Sequence, residues 1–175
     1  MLMMGDMSSA PVSVGFDPIS EARRKWIESG WGEAATGMAA ITSLMRAQQI
    51  ALAEVEARLK PFGVTFARYE VLMLLLFSSS GKLPMKTIGS RLQVHPTSVT
   101  NAVDRLEAAG LVAREPHPDD RRATLVALTP PGREVATKAT AVLNDEVFAR
   151  PALDAEDLQQ LIELLTRLRR SAGDF

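Results

Sequence analysis

The chain of 175 residues contains no cysteine, which removes disulfide staples, thiolate-bound zinc and thiol-based redox switching. Histidine is scarce as well, since His95 and His117 are the only two. Without a His-x-x-x-His spacing or a carboxylate cluster beside them they make no ligand set, so no metal and no other cofactor is expected. The longest apolar run, Val71 to Phe77, is far too short to span a bilayer. Met1-Leu2-Met3-Met4-Gly5 lacks the basic start and sustained apolar stretch of a signal peptide. These absences predict a cytoplasmic protein with no membrane partner. Nor is there an excess of either charge: 20 Lys and Arg face 21 Asp and Glu, a net charge of −1. A disordered polyelectrolyte is excluded, and a globally basic nucleic-acid binder disfavoured. There is no Gly-rich phosphate loop, no nucleophile elbow and no defensible Ser/His/Asp set, so an enzyme is not expected.

What remains is 46% hydrophobic, enough to bury a real core in one domain or two small ones. Residues 1–16, rich in Met, Ser, Gly and other small side chains, read as a mobile tail, and their several Met leave the true start uncertain. Asp17-Pro18 reads as a cap and first-turn proline, opening a helix to about Ser29. Gly30 and Gly32 interrupt it, and a helical pattern resumes from Glu33 to about Leu59, ended by Pro61 and Gly63. Thr65 is expected to cap a buried helix over Phe66–Phe77. After Thr129-Pro130-Pro131-Gly132 a long helix runs to Arg150-Pro151. Asp154 then caps a last helix with Leu158, Leu161, Leu165 and Leu168 on one narrow seam suited to helix pairing. The helices at both ends carry more apolar length than one small domain covers.

The chemistry-bearing stretch is Lys82 to Arg122. Pro96 suits a first helical turn and Gly110 the position just past a helix end. Between them, 100° steps put Val99, Ala102, Val103 and Leu106 on one apolar stripe. Thr97, Thr100, Asn101, Asp104 and Arg105 point the other way. That outward face is short, polar and almost free of Lys and Glu, whereas an ordinary solvated face is filled with them. Upstream, Met85, Ile88 and Leu92 mark a shorter helix, and only Gln93 to His95 separate the two. The arrangement is a helix-turn-helix, whose second helix can enter a major groove. Two strand-like runs follow, Leu111–Arg114 and Thr124–Thr129, with a Pro- and Arg-bearing tip over 115–122, which together form a wing. From Lys82 to Arg122 the balance is +2, against −3 for the rest, so placement of charge matters more than its bulk. Candidate DNA contacts are His95, Thr97, Ser98, Thr100, Asn101 and Arg105 on the helix. At the wing tip Arg121 and Arg122 suit a narrow, electronegative minor groove.

His95 to Val112, followed by Pro118-Asp-Asp-Arg-Arg122 and Leu125-Val-Ala-Leu-Thr-Pro-Pro-Gly132, resembles the multiple antibiotic resistance regulator (MarR) family. The resemblance is clear from about Arg46 to Gly132 and looser at the ends. It implies a mainly α fold with a small β-hairpin wing, in which N- and C-terminal helices form a dimerisation region. By that resemblance residues 17–60 and 131–175 build the homodimer and residues 61–130 form the winged helix-turn-helix lobe. It also implies that Arg122 enters the minor groove while Asp120 holds it. The lack of cysteine removes the family's oxidation-sensing branch. A pocket between the dimerisation helices and the DNA-binding lobe is further implied, often for phenolic or other aromatic anions. Trp26, Trp31, Met45, Arg68 and Tyr69 are candidates to line it, although packing alone is the favoured account of them. The expected function is that of a transcriptional regulator, a ligand-responsive repressor binding a pseudo-palindromic double-stranded operator as a homodimer. Two other readings stay open: a winged-helix protein-interaction module that binds no DNA, and a helical bundle carrying its own ligand or enzyme site.

Overall fold

The computed structural model describes residues 15–118, 120 and 123–175. Among the described residues seven helices and three strands follow in the order α1 (Pro18–Glu28), α2 (Gly32–Leu59), α3 (Phe66–Phe77), β1 (Lys82–Pro84), α4 (Met85–Leu92), α5 (Pro96–Ala108), β2 (Val112–Pro116), β3 (Thr124–Leu128), α6 (Pro130–Leu143) and α7 (Ala155–Ser171). A 3-10 turn over Lys60–Phe62 and a π-helical stretch over Asn144–Phe148 extend α2 and α6. The chain divides into two compact units, one ending at Ala51 and the other beginning at Leu52. Among the described residues no helix is long and apolar enough to cross a membrane.

In the first unit the Asp17 carboxylate accepts the N–H groups of Ile19 and Ser20 at 3.0 and 3.2 Å, and Pro18 needs no partner. Gly30 takes φ +88°, which turns the chain between α1 and α2. The rings of Trp26 and Trp31 close that corner edge to face, 5.2 Å apart. Ile27, Trp31, Ile41, Met45 and Ile50 remain exposed.

The second unit holds the main core, in which Leu59, Leu72, Leu75, Ile88, Val103, Leu106, Val126 and Leu143 are essentially inaccessible to water. The sheet is antiparallel in the order β1-β3-β2, with Leu83 opposite Val126 and Arg114 opposite Val126 on the other edge. The expected two-stranded hairpin is therefore a three-stranded sheet. β1 is only three residues long and ends in Pro84, which an edge strand tolerates because it need not donate to the ladder. Thr65 occupies the N-cap of α3, but its side chain does not cap the helix. Its hydroxyl instead accepts from Arg68 Nε at 3.1 Å, while Glu56 accepts the Phe66 N–H at 3.4 Å. The last helix, α7, is capped by Asp154 but buries no residue, and Leu161, Ile162, Leu164 and Leu168 stand exposed along it.

The joint behind the wing is unusually close. Thr129 caps α6 by accepting the Gly132 N–H at 3.1 Å, and its hydroxyl donates to the Gly110 carbonyl at 2.8 Å. The Thr129 N–H donates to the Leu111 carbonyl at 3.2 Å. One residue thus ties the end of α5, the end of β3 and the start of α6. Gly132 permits the approach, because a Cβ there would stand 1.9 Å from the Leu111 oxygen.

Candidate nucleic-acid interface

α4 ends at Gln93, which adopts φ +55°, the left-handed conformation that turns the chain into α5. Among the described residues it is the only non-glycine with positive φ. The Gln93 amide accepts from Arg169 at 3.4 Å and donates to the Asp174 carbonyl at 2.5 Å, so the turn is also held from the end of α7. His95 then serves as N-cap of α5, its Nδ1 accepting the Thr97 N–H at 3.2 Å. As a candidate DNA contact it has only its other ring nitrogen to offer, since Nδ1 is committed to the helix.

Along α5, Val99, Val103 and Leu106 are buried in the core, which turns the polar residues outward. Thr97, Ser98, Thr100, Asn101 and Arg105 are all exposed. The Thr100 hydroxyl is spent on the Pro96 carbonyl at 3.0 Å. Asp104 does not pair with its neighbour Arg105 but with Arg114 of β2, at 2.5 Å, and Glu107 pairs with the same guanidinium. Burial pulls the Arg114 pKa down, but the hydrogen bonds it donates to Asp104 and Glu107, with their charges, outweigh it and leave the pKa above the ordinary arginine value. Asp104 and Glu107 therefore serve to fasten α5 to the wing. The Arg105 side chain makes no hydrogen bond or ion pair with any described residue, so its charge stays available.

A concavity of about 470 Å³ runs beside α5, lined by Thr65, Ala67 and Arg68 of α3 and its cap and by Ser98, Asn101, Ala102 and Arg105 of α5. Arg68, read from the sequence as a ligand-lining residue, stands here. Tyr69, one step along the same helix, is buried at 6% exposure, and its hydroxyl shares a 2.9 Å hydrogen bond with Thr140. It borders a different groove of about 510 Å³ with Phe66, Glu70, Met73, Phe77 and Phe148. Arg68 and Tyr69 are thus not brought together. Trp31 and Met45 are exposed, and Trp26 packs on Trp31. Glu70 was not singled out by sequence reasoning. Burial pushes its carboxyl pKa up, and its signal was an acid set beside an otherwise apolar helical run. Among the described residues no group of three or more metal-ligating side chains assembles.

In the wing, β2 and β3 pair from Val112–Leu128 to Pro116–Thr124. The Asp120 carbonyl accepts the Ala123 N–H at 3.0 Å, and the Ala123 carbonyl accepts the His117 N–H at 3.2 Å. The assignments of Arg121 and Arg122, like the tail over 1–14, lie outside the described residues.

A helix, a three-residue turn, a second helix with an open polar face and a paired wing define a winged helix-turn-helix protein. Comparison with known proteins narrows this. The model of the MarR family matches residues 62–123. The uncharacterized HTH-type transcriptional regulator YhbI of Bacillus subtilis is 32% identical over 121 residues, covering 67% of this chain and 76% of its own. Sco5413, a MarR family transcriptional regulator from Streptomyces coelicolor, is 56% identical, with a TM-score of 0.73 over 80% of this chain and 97% of its own. Sco3205, a MarR family regulator from the same organism solved in complex with DNA, is 26% identical, with a TM-score of 0.66 over 75% of this chain and 84% of its own. The chain belongs to the MarR family of transcriptional regulators.

Proposed function

We propose that two copies of this chain bind a pseudo-palindromic duplex, one α5 in each of two successive major grooves, and regulate transcription from the promoter they occupy. One observation carries this: the exposed face of α5 offers Ser98, Asn101 and an Arg105 side chain that pairs with no described residue, while the acids of the same helix are turned onto Arg114. Ser and Asn suit phosphates and base edges, Asn101 pairing best with adenine, and Arg105 suits a guanine edge or a phosphate. Thr97 and Thr100 complete the surface, and His95 sits at its start. Arg121 and Arg122 are assigned to the minor groove beside each half-site, with Asp120 holding Arg122 in position. Two-fold symmetry sets the half-sites about 34–36 Å apart.

The dimer base is assigned to residues 17–60 and 131–175, whose Ile41, Met45, Ile50, Leu161, Ile162, Leu164 and Leu168 are large apolar side chains left exposed within one chain. The regulator works in the cytoplasm as a repressor and performs no catalysis. A small aromatic effector biases the dimer toward a spacing of α5 helices that misses the operator, which requires unequal affinity for the two arrangements. The DNA sister structure of Sco3205 supports the mode of binding by kinship.

Selection of duplexes from a random library by the purified protein tests the proposal. Enriched fragments should share an inverted repeat with one helical turn between half-site centres and should release the protein steeply as salt rises. An unenriched library sinks it and favours a protein partner for the winged helix. Repeating the selection with aromatic acids present tests the effector.

A further inference from the structure

The footprint proposed above ends at the edge of α5, but the concavity beside it does not. Its far wall is the first turn of α3, and the side chain that stands there is Arg68. We infer that Arg68 is a DNA-backbone contact, holding a phosphate of the operator in the concavity it shares with Ser98, Asn101 and Arg105. The inference rests on the DNA-binding reading and adds to it a residue from outside the helix-turn-helix and the wing.

The chemistry of the lining is one-sided. Of its seven residues, two are arginines, two more carry hydroxyls, one carries an amide, and none is acidic. Two guanidiniums on one small concavity repel each other unless an anion lies between them or water screens them. Among the described residues no acid neutralises either of them. The Arg105 side chain makes no polar contact with any described residue, and the Arg68 guanidinium bonds to neutral oxygens: Nε to the Thr65 hydroxyl at 3.1 Å and Nη1 to the Gly63 carbonyl at 3.3 Å. Those bonds account for two of its five N–H donors. They fix the guanidinium plane and leave three N–H donors for an anion, the planar fork by which Arg suits phosphate better than Lys does. Glu56, the acid on the neighbouring surface that Arg68 also borders, accepts the Phe66 N–H instead.

The occupant follows from continuity. The concavity opens along the same Ser98, Asn101 and Arg105 side chains that the proposed footprint presents to the duplex. Phosphates flank any groove that α5 enters. A backbone phosphate therefore reaches this position when the helix docks, and contacts of this kind fix register without reading sequence.

The test is a salt titration of operator and of unrelated duplex with the full chain and three variants. Losing one phosphate contact reduces the slope of log K against log salt by about 0.9 per site, hence by about 1.8 for a dimer on two half-sites. Arg68→Gln is expected to lower that slope accordingly and to weaken operator and unrelated duplex alike. Arg68→Lys, which keeps the charge but not the fork, should retain most of the slope and so guards against a variant that merely loosens the Gly63–Thr65 turn. Asn101→Ala should weaken the operator selectively and leave the slope unchanged. Arg68→Gln with the slope of the unaltered protein overturns the inference while the DNA reading stands. So does Arg68→Lys losing as much slope as Arg68→Gln. An unaltered protein that binds no duplex overturns both together.

Discussion

Gly132 is where a single methyl group should do the most damage. An alanine Cβ there would lie 1.9 Å from the Leu111 carbonyl oxygen, 2.9 Å from the Leu111 carbonyl carbon and 2.9 Å from Leu128 Cδ1. Reaching even the tightest tolerated contact means separating α6 from the end of α5 by about 1 Å. The obstacle is backbone, so no rotamer change relieves it. Overpacking of this kind costs about 1–3 kcal/mol. The shift also pulls on the Leu111 carbonyl that accepts the Thr129 N–H, a bond with a net contribution of about 0.5–1.5 kcal/mol. Alanine's better helix propensity returns less than about 1 kcal/mol. Gly132→Ala should therefore destabilise the chain by about 2–3 kcal/mol, or roughly 5–10 °C in melting temperature for a chain of this size. Urea and thermal unfolding at matched protein concentration measure it, since a dimer's midpoint depends on concentration. Adding Leu128→Ala should give no rescue, because it removes only the side-chain contact. A Gly132→Ala protein within about 0.5 kcal/mol of the original, or one rescued by Leu128→Ala, refutes the backbone-contact argument.

Two further outcomes follow from the same geometry. Thr129→Ala removes both the cap on Gly132 and the bond to Gly110 and should cost about 1–2 kcal/mol in urea unfolding, with Thr129→Ser restoring most of it. Glu70 has its folded-state pKa raised by burial, so the fold binds its proton more tightly than the unfolded chain does. Its penalty is absent below the ordinary carboxylate pKa, grows as pH rises from there to the folded value, and is full above it. Glu70→Gln should accordingly raise the melting temperature at neutral pH and leave it unchanged in acid; a variant equally or more stabilised in acid would contradict the desolvation argument.

The helix-turn-helix was legible because its boundaries are set by local chemistry. Pro96 opens α5, Gly110 follows it with φ +71°, and Val99, Val103 and Leu106 at helical spacing point to the core. The bounds of α3 were equally plain. What the pattern did not carry was any feature decided by contacts between distant segments. β1 is three residues long and is a strand only because Leu83 finds Val126. Thr65 has a cap residue's identity, but Arg68 takes its hydroxyl. Arg68 and Tyr69 are neighbours in sequence and some 100° apart on α3, so one faces α5 and the other is held by Thr140, 71 positions away. The pairing of Asp104 with Arg114 rather than Arg105 depends on the wing folding back. In each case the residue type was informative, and its partner was not.

The central claim is that the exposed face of α5 reads DNA. Fluorescence anisotropy of a selected operator, titrated with the unaltered protein and with Asn101→Ala, tests it most directly. The account predicts that losing a bidentate base contact worth about 1–3 kcal/mol weakens operator binding tenfold or more, with the melting temperature and the affinity for unrelated duplex essentially unchanged. Equal operator affinity for the two proteins would contradict it.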